Sequence, residues 1–115
     1  MEGVRSLVIL DLSQLRNVTL DDQALMREVV DALVSDTSQH LAELRQAVER
    51  GDLQACIRLA HNTHGACGNV GAVSMAALLA SLELQAKDGD LDLCRASVEM
   101  LLVELEKLRH AAESI

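Results

Sequence analysis

Not one of the 115 residues of this chain is proline, and not one is Phe, Tyr or Trp. A proline-free chain can run long helices without a break, because nothing removes an amide donor or forces a carbonyl aside. Half of the residues are apolar, so the core must be built from Leu, present 21 times, with Val, Ala, Met and Ile. A sandwich or barrel would show β-branched and aromatic runs between Gly/Pro turns, and an all-β fold is therefore excluded. A chain of this size is expected to form one domain that buries about 60–70% of its unfolded surface.

Asp and Glu outnumber Lys and Arg by 18 to 10, for a net charge of −8. That balance argues against nucleic acid, whose phosphates need a basic face, and against an anionic membrane surface. No stretch approaches the roughly eighteen apolar residues of a membrane span, and the run Leu7 to Leu10 is too short for a signal-peptide core. A soluble, cytoplasmic protein is expected. The three cysteines, an odd number at wide spacing, fit buried reduced thiols better than a disulfide framework.

Helix punctuation organises the chain. Gly51-Asp52 and Gly89-Asp90 each set a glycine, suited to ending a helix, directly before an Asp suited to capping the next. The Gly-Asp-Leu-x-x-Cys text shared by the two sites reflects turn chemistry rather than a repeat. Apolar stripes then predict helices over 21–50 (Leu25, Val29, Leu33, Thr37, Leu41, Leu44, Val48), 52–69, 72–87 and 90–112 (Cys94, Val98, Leu101, Leu105, Leu108, Ala112). Short connections make neighbours antiparallel. The expected fold is all-α: a single domain over 1–115 forming an up-down four-helix bundle, with a short N-terminal helix near 11–16 and an extension over 1–10.

The segment from Leu59 to Ala72 reads Leu-Ala-His-Asn-Thr-His-Gly-Ala-Cys-Gly-Asn-Val-Gly-Ala. At about 100° per residue, with Leu53 at zero, Leu59, Cys56, Cys67, Ala60 and Thr63 fall between about 240° and 340°. His61 falls near 80°, roughly opposite, with Ile57, Arg58, His64, Gly65 and Gly68 on its side. Gly65 and Gly68 each cost about 1 kcal/mol relative to alanine inside a helix. They point away from the seam, so their reading is functional: they clear bulk beside His61 for an approaching partner, with Ile57 as an exposed apolar contact. A metal site at His61, His64 and Cys67 is disfavoured, since Cys67 near 320° and His61 near 80° cannot comfortably share one ion. His40 and His110 have no matching neighbours, and Glu28, Glu43, Glu104 and Glu106 read as a solvated face.

Ala60-His61-Asn62-Thr63-His64-Gly65, then Asn69-Val70-Gly71-Ala72, Leu82-Glu83, Ala86-Lys87 and Gly89-Asp90, resembles the histidine-containing phosphotransfer (HPt) domain signature. With Asp36-Thr37, Ala47 and Gly51-Asp52, the resemblance covers about residues 10 to 110. The family's usual text is Ala-His-x-x-Lys-Gly; here His64 stands in place of the lysine, and Leu33 in place of the aromatic before Asp-Thr. The resemblance implies a stand-alone, monomeric phosphocarrier that takes a phosphoryl group on His61 from a receiver-domain aspartyl phosphate and passes it to a response-regulator aspartate. His64 is the candidate phosphate partner, and Ile57, Arg58, Gly65 and Gly68 are the docking residues.

The chain shows no phosphate-cradling loop, Walker lysine or acidic triad. No cofactor of its own, no metal and no autonomous kinase activity are therefore expected. The resemblance implies Mg²⁺ on the partner, a hybrid sensor kinase receiver or a response-regulator receiver. The alternative reading, a helical adaptor that binds protein without phosphotransfer, fits the periodicity but gives no reason for the glycine-cleared face.

Overall fold

A computed structural model describes residues 8–115, which form five helices and, among the described residues, no strand. They are α1 (Leu12–Val18), α2 (Gln23–Arg50), α3 (Leu53–Val70), α4 (Val73–Lys87) and α5 (Leu91–Glu113). Most of the 1–10 extension, with Leu7 of the short apolar run, lies outside the described residues.

Aspartates start four of the helices. The carboxylates of Asp11, Asp22, Asp52 and Asp90 accept from the backbone N–H groups of Gln14, Leu25, Ala55 and Leu93, satisfying donors that the first turn leaves free. Two αL glycines, Gly51 and Gly71, end α2 and α3. The start of α4 has no side-chain cap; its Ser74 N–H donates instead to the Val8 carbonyl at 2.9 Å, an ordinary hydrogen-bond distance.

Helices α2 to α5 close an antiparallel ring in which α2 packs on α3 and α5, and α4 packs on α3 and α5. The expected α5 seam, Cys94 to Ala112, is wholly buried, and Leu41, Leu44, Leu79, Leu82 and Leu101 fill the centre with Ala and Val around them. Two expectations need correction. At the start of α2 the buried stripe runs through Met26 and Val30, while Leu25 is 39% exposed and Val29 half-buried. The residues Leu25, Met26, Val29 and Val30 are all apolar, and only the neighbouring helices select between the two faces. Nor is Glu104 solvated: its side chain is 12% exposed, accepts from the Ser74 hydroxyl at 2.6 Å and pairs with Lys107 at 3.1 Å, tying α4 to α5.

Helix α1 and the segment before it close one end of α3. The Asp11 N–H donates to the Gly71 carbonyl at 2.8 Å, and the Gln14 side-chain amide donates to the Gly68 carbonyl at 2.6 Å. This clip needs a glycine at 71, where φ is +100° and a Cβ would meet the Asp11 carbonyl oxygen at 3.0 Å. Gly51 is also left-handed, at φ +69°, but a Cβ there would meet only Leu91 Cδ1, at an ordinary 3.7 Å. Gly51→Ala should thus cost the backbone strain of about 1–2 kcal/mol, and Gly71→Ala that strain plus the clash, about 2–4 kcal/mol. Denaturant unfolding of the two variants checks the order.

Candidate functional site

Helix α3 carries the site because its two faces differ so sharply. Ala55, Cys56, Ala60, Thr63 and Cys67 are buried, whereas Arg58, His61, Asn62 and Gly65 are exposed. Between these groups lie Ile57, His64 and Gly68, each half-buried. Ile57 is therefore not the exposed apolar contact expected of it: it packs against the core at the α3 boundary. The exposed apolar side chain nearest in sequence to the site residues of α4 is Leu84, 63% exposed beside Glu83.

The glycines stand as expected. A Cβ built on Gly65 or Gly68 meets no atom within 4 Å outside the helix's own backbone, so neighbour packing requires neither glycine. Open space lies over both, on the same helix as His61.

His61 has a 68% exposed side chain, yet its ring has a partner. Its Nδ1 lies 3.3 Å from Glu83 Oε1 on α4, and Lys87, one turn further along α4, places Nζ 3.1 Å from Glu83 Oε2. Glu83 is only 14% exposed. The hydrogen bond from Lys87 draws the Glu83 carboxyl below its usual range; burial opposes this, and the bond to His61 adds to the lowering. An ionised carboxylate only accepts, so Nδ1 must be the protonated nitrogen of the neutral ring. Nε2 then carries the free lone pair. The line His61, Glu83, Lys87 orients the imidazole and fixes its tautomer without occupying the second nitrogen.

Sequence alone does not mark Glu83 and Lys87 as site residues, although both lie in the text that resembles the HPt signature. Their four-residue spacing reads as an ordinary surface pair, and only the packing of α4 on α3 brings it to His61. His64 makes no hydrogen bond or ion pair among the described residues. His40 is half-buried on α2, and the exposed His110 lies 3.5 Å from Glu113. Cys67 faces away from His61, with its sulfur 3.8 Å from the Thr37 hydroxyl. Among the described residues no group of three or more His, Cys, Asp or Glu side chains could hold a metal ion, and no helix is long and apolar enough to cross a membrane.

An antiparallel helical bundle with an exposed, carboxylate-anchored histidine on a glycine-bearing helix defines a class. Residues 28–113 match the family described as the Hpt domain, and the chain belongs to that family. Among solved structures it is similar to the crystal structure of histidine-containing phosphotransfer protein B (HptB) from Pseudomonas aeruginosa PAO1, at 28% identity and a TM-score of 0.86 over 95% of each chain. No curated protein matches the chain.

The lowered Glu83 carboxyl has a consequence for pH. A carboxylate whose folded pKa is depressed contributes stability that is present above its unfolded value, about 4.3, and is lost as pH falls through the lowered folded one. The stability difference between the natural protein and Glu83→Gln should therefore be largest near neutral pH and shrink towards pH ~3. Paired urea titrations at the two pH values measure it.

Proposed function

We propose that this chain is a phosphorelay intermediate whose phosphorylated residue is His61. Hpt proteins are phosphocarriers that partner with receiver domains, and the observation that carries the assignment is the His61 Nδ1 to Glu83 bond. It leaves Nε2 unprotonated in the neutral ring, on a side chain that is 68% exposed. In the forward step the Nε2 lone pair attacks the phosphorus of a receiver's aspartyl phosphate. The N–P bond forms, the P–O bond to the aspartate breaks, and the carboxylate leaves with the electron pair. The ring then carries positive charge until Nδ1–H shares its proton with Glu83, which stabilises the loaded form. A second receiver's aspartate reverses the step: its carboxylate oxygen attacks the phosphorus and Nε2 leaves.

The donor is a hybrid sensor kinase's receiver domain and the acceptor a response regulator's, each bringing Mg²⁺ and the ligands that hold it. The chain acts as a carrier in the cytoplasm, as a monomer. Gly65 and Gly68 let the partner's backbone come close to Nε2, and Leu84 on α4 offers the apolar contact that half-buried Ile57 does not. His64, half-buried beside this face, takes the lysine's place in sequence; the fixed charge of that lysine has to come from another residue.

His61→Gln should abolish phosphate acceptance from an acetyl-phosphate-charged receiver and leave the melting temperature within about 2 °C, since exposed substitutions stay within about 0.5 kcal/mol. Acid-labile, base-stable label retained by the variant would refute the assignment. Gly68→Gln should move two readouts in opposite directions, stabilising the helix by up to about 1 kcal/mol while slowing transfer. A variant that unfolds, or one that transfers at the natural rate, removes the docking role.

A further inference from the structure

We propose that Arg58 is the cation that receives the phosphoryl group on His61, in the part that the missing lysine would otherwise play. The inference rests on His61 as the phosphorylated residue. The bond to Glu83 turns Nδ1 towards α4, so Nε2, on the other side of the five-membered ring, faces away from α4. On α3 the residues to one side of His61, Ile57, His64 and Gly68, are half-buried, and those to the other side, Arg58 and Gly65, are exposed. Helical rotation places Arg58 about 60° and Gly65 about 40° beyond His61 in the exposed direction. Residues three apart on a helix have Cβ atoms about 5–6 Å apart, and helical side chains lean towards the N-terminus. The His61 ring therefore leans over the turn that carries Arg58, and on the same exposed side the next turn presents Gly65, which has no side chain.

Among the described residues the other Lys and Arg side chains are already engaged, Lys107 with Glu104 at 3.1 Å. Lys87 lies on Glu83, on the Nδ1 side of the ring. Arg16, Arg27, Arg45, Arg50, Arg95 and Arg109 each lie within 4.0 Å of a carboxylate. Arg58 has no ion pair or side-chain hydrogen bond among the described residues. A phosphoryl group adds about two negative charges near pH 7. Here it would add them to a chain of net charge −8 and beside the Glu83 carboxylate. A guanidinium keeps its charge at any working pH and offers paired N–H donors to phosphate oxygens.

Transfer equilibrium tests this. The full-length natural protein, Arg58→Gln and Arg58→Lys are each mixed with one receiver domain charged by acetyl phosphate, and the ratio of phospho-His61 to aspartyl phosphate is read at equilibrium. Arg58→Gln should lower the phospho-His61 share about three- to tenfold, as expected of a solvent-exposed, charge-assisted contact, and Arg58→Lys should restore most of it. Raising salt from about 50 to 500 mM should reduce the share in the natural protein and much less in Arg58→Gln. A residue used only for docking changes forward and reverse rates together and leaves the equilibrium alone. An unchanged equilibrium constant in Arg58→Gln, with circular dichroism matching the natural protein, therefore overturns the proposal. Failure of all three proteins to take label at His61 would instead overturn the phosphorelay reading beneath it.

Discussion

His61 and Glu83 stand 22 positions apart in the chain with one tight turn between them, and the turn decides whether imidazole and carboxylate meet. Helix α3 ends at Gly71 because only a residue without a Cβ accepts that backbone conformation with the Asp11 carbonyl pressed against it. The chain reverses within two residues, and α4 returns beside α3 in a single register. One residue more in the turn would rotate Glu83 by about 100° around its helix and turn its carboxylate away from the imidazole. The orientation of the histidine is thus set by backbone geometry two helical turns and more from the ring.

The strength of the anchor matters less than its direction. An exposed histidine paired with a carboxylate contributes modestly to stability, because water competes for both groups. What the pair supplies is a choice of tautomer, and Lys87 keeps Glu83 ionised so that the choice is maintained. Stability comes from elsewhere, from a core in which Leu, Val, Ala and Met fill the space that aromatic rings often occupy. The site can remain open on α3 because the opposite face of the same helix is so thoroughly buried.

How far sequence reaches can be judged residue by residue. The α5 seam was legible because its apolar residues form a single stripe with polar neighbours on both sides. The start of α2 was not, since adjacent apolar pairs offer two equally good stripes and the choice belongs to the helices packed against them. His61 and the two helical glycines stood out by rotation alone, and the resemblance to the HPt signature gave them a meaning. Ile57 was misplaced because it sits at the edge of the seam, where a small angular difference separates contact from exposure. Glu83 and Glu104 look like any other surface carboxylate until partners 22 and 30 residues away close over them.

The three thiols lie behind these helices, each fully buried. Burial pushes all three up from the ordinary cysteine value, at Cys56 with help from Cys94 and Asp52, at Cys94 with help from Asp90, and at Cys67 against a partial offset from the Thr37 hydroxyl. A protonated thiol out of reach of reagent does not react, so alkylation has to wait for a local opening. Cys56 and Cys94 sit in the first turns of α3 and α5, and Cys67 near the end of α3. The bundle therefore contains its own clocks at both ends of the histidine-bearing helix, and their rates of modification would time the opening of each end separately.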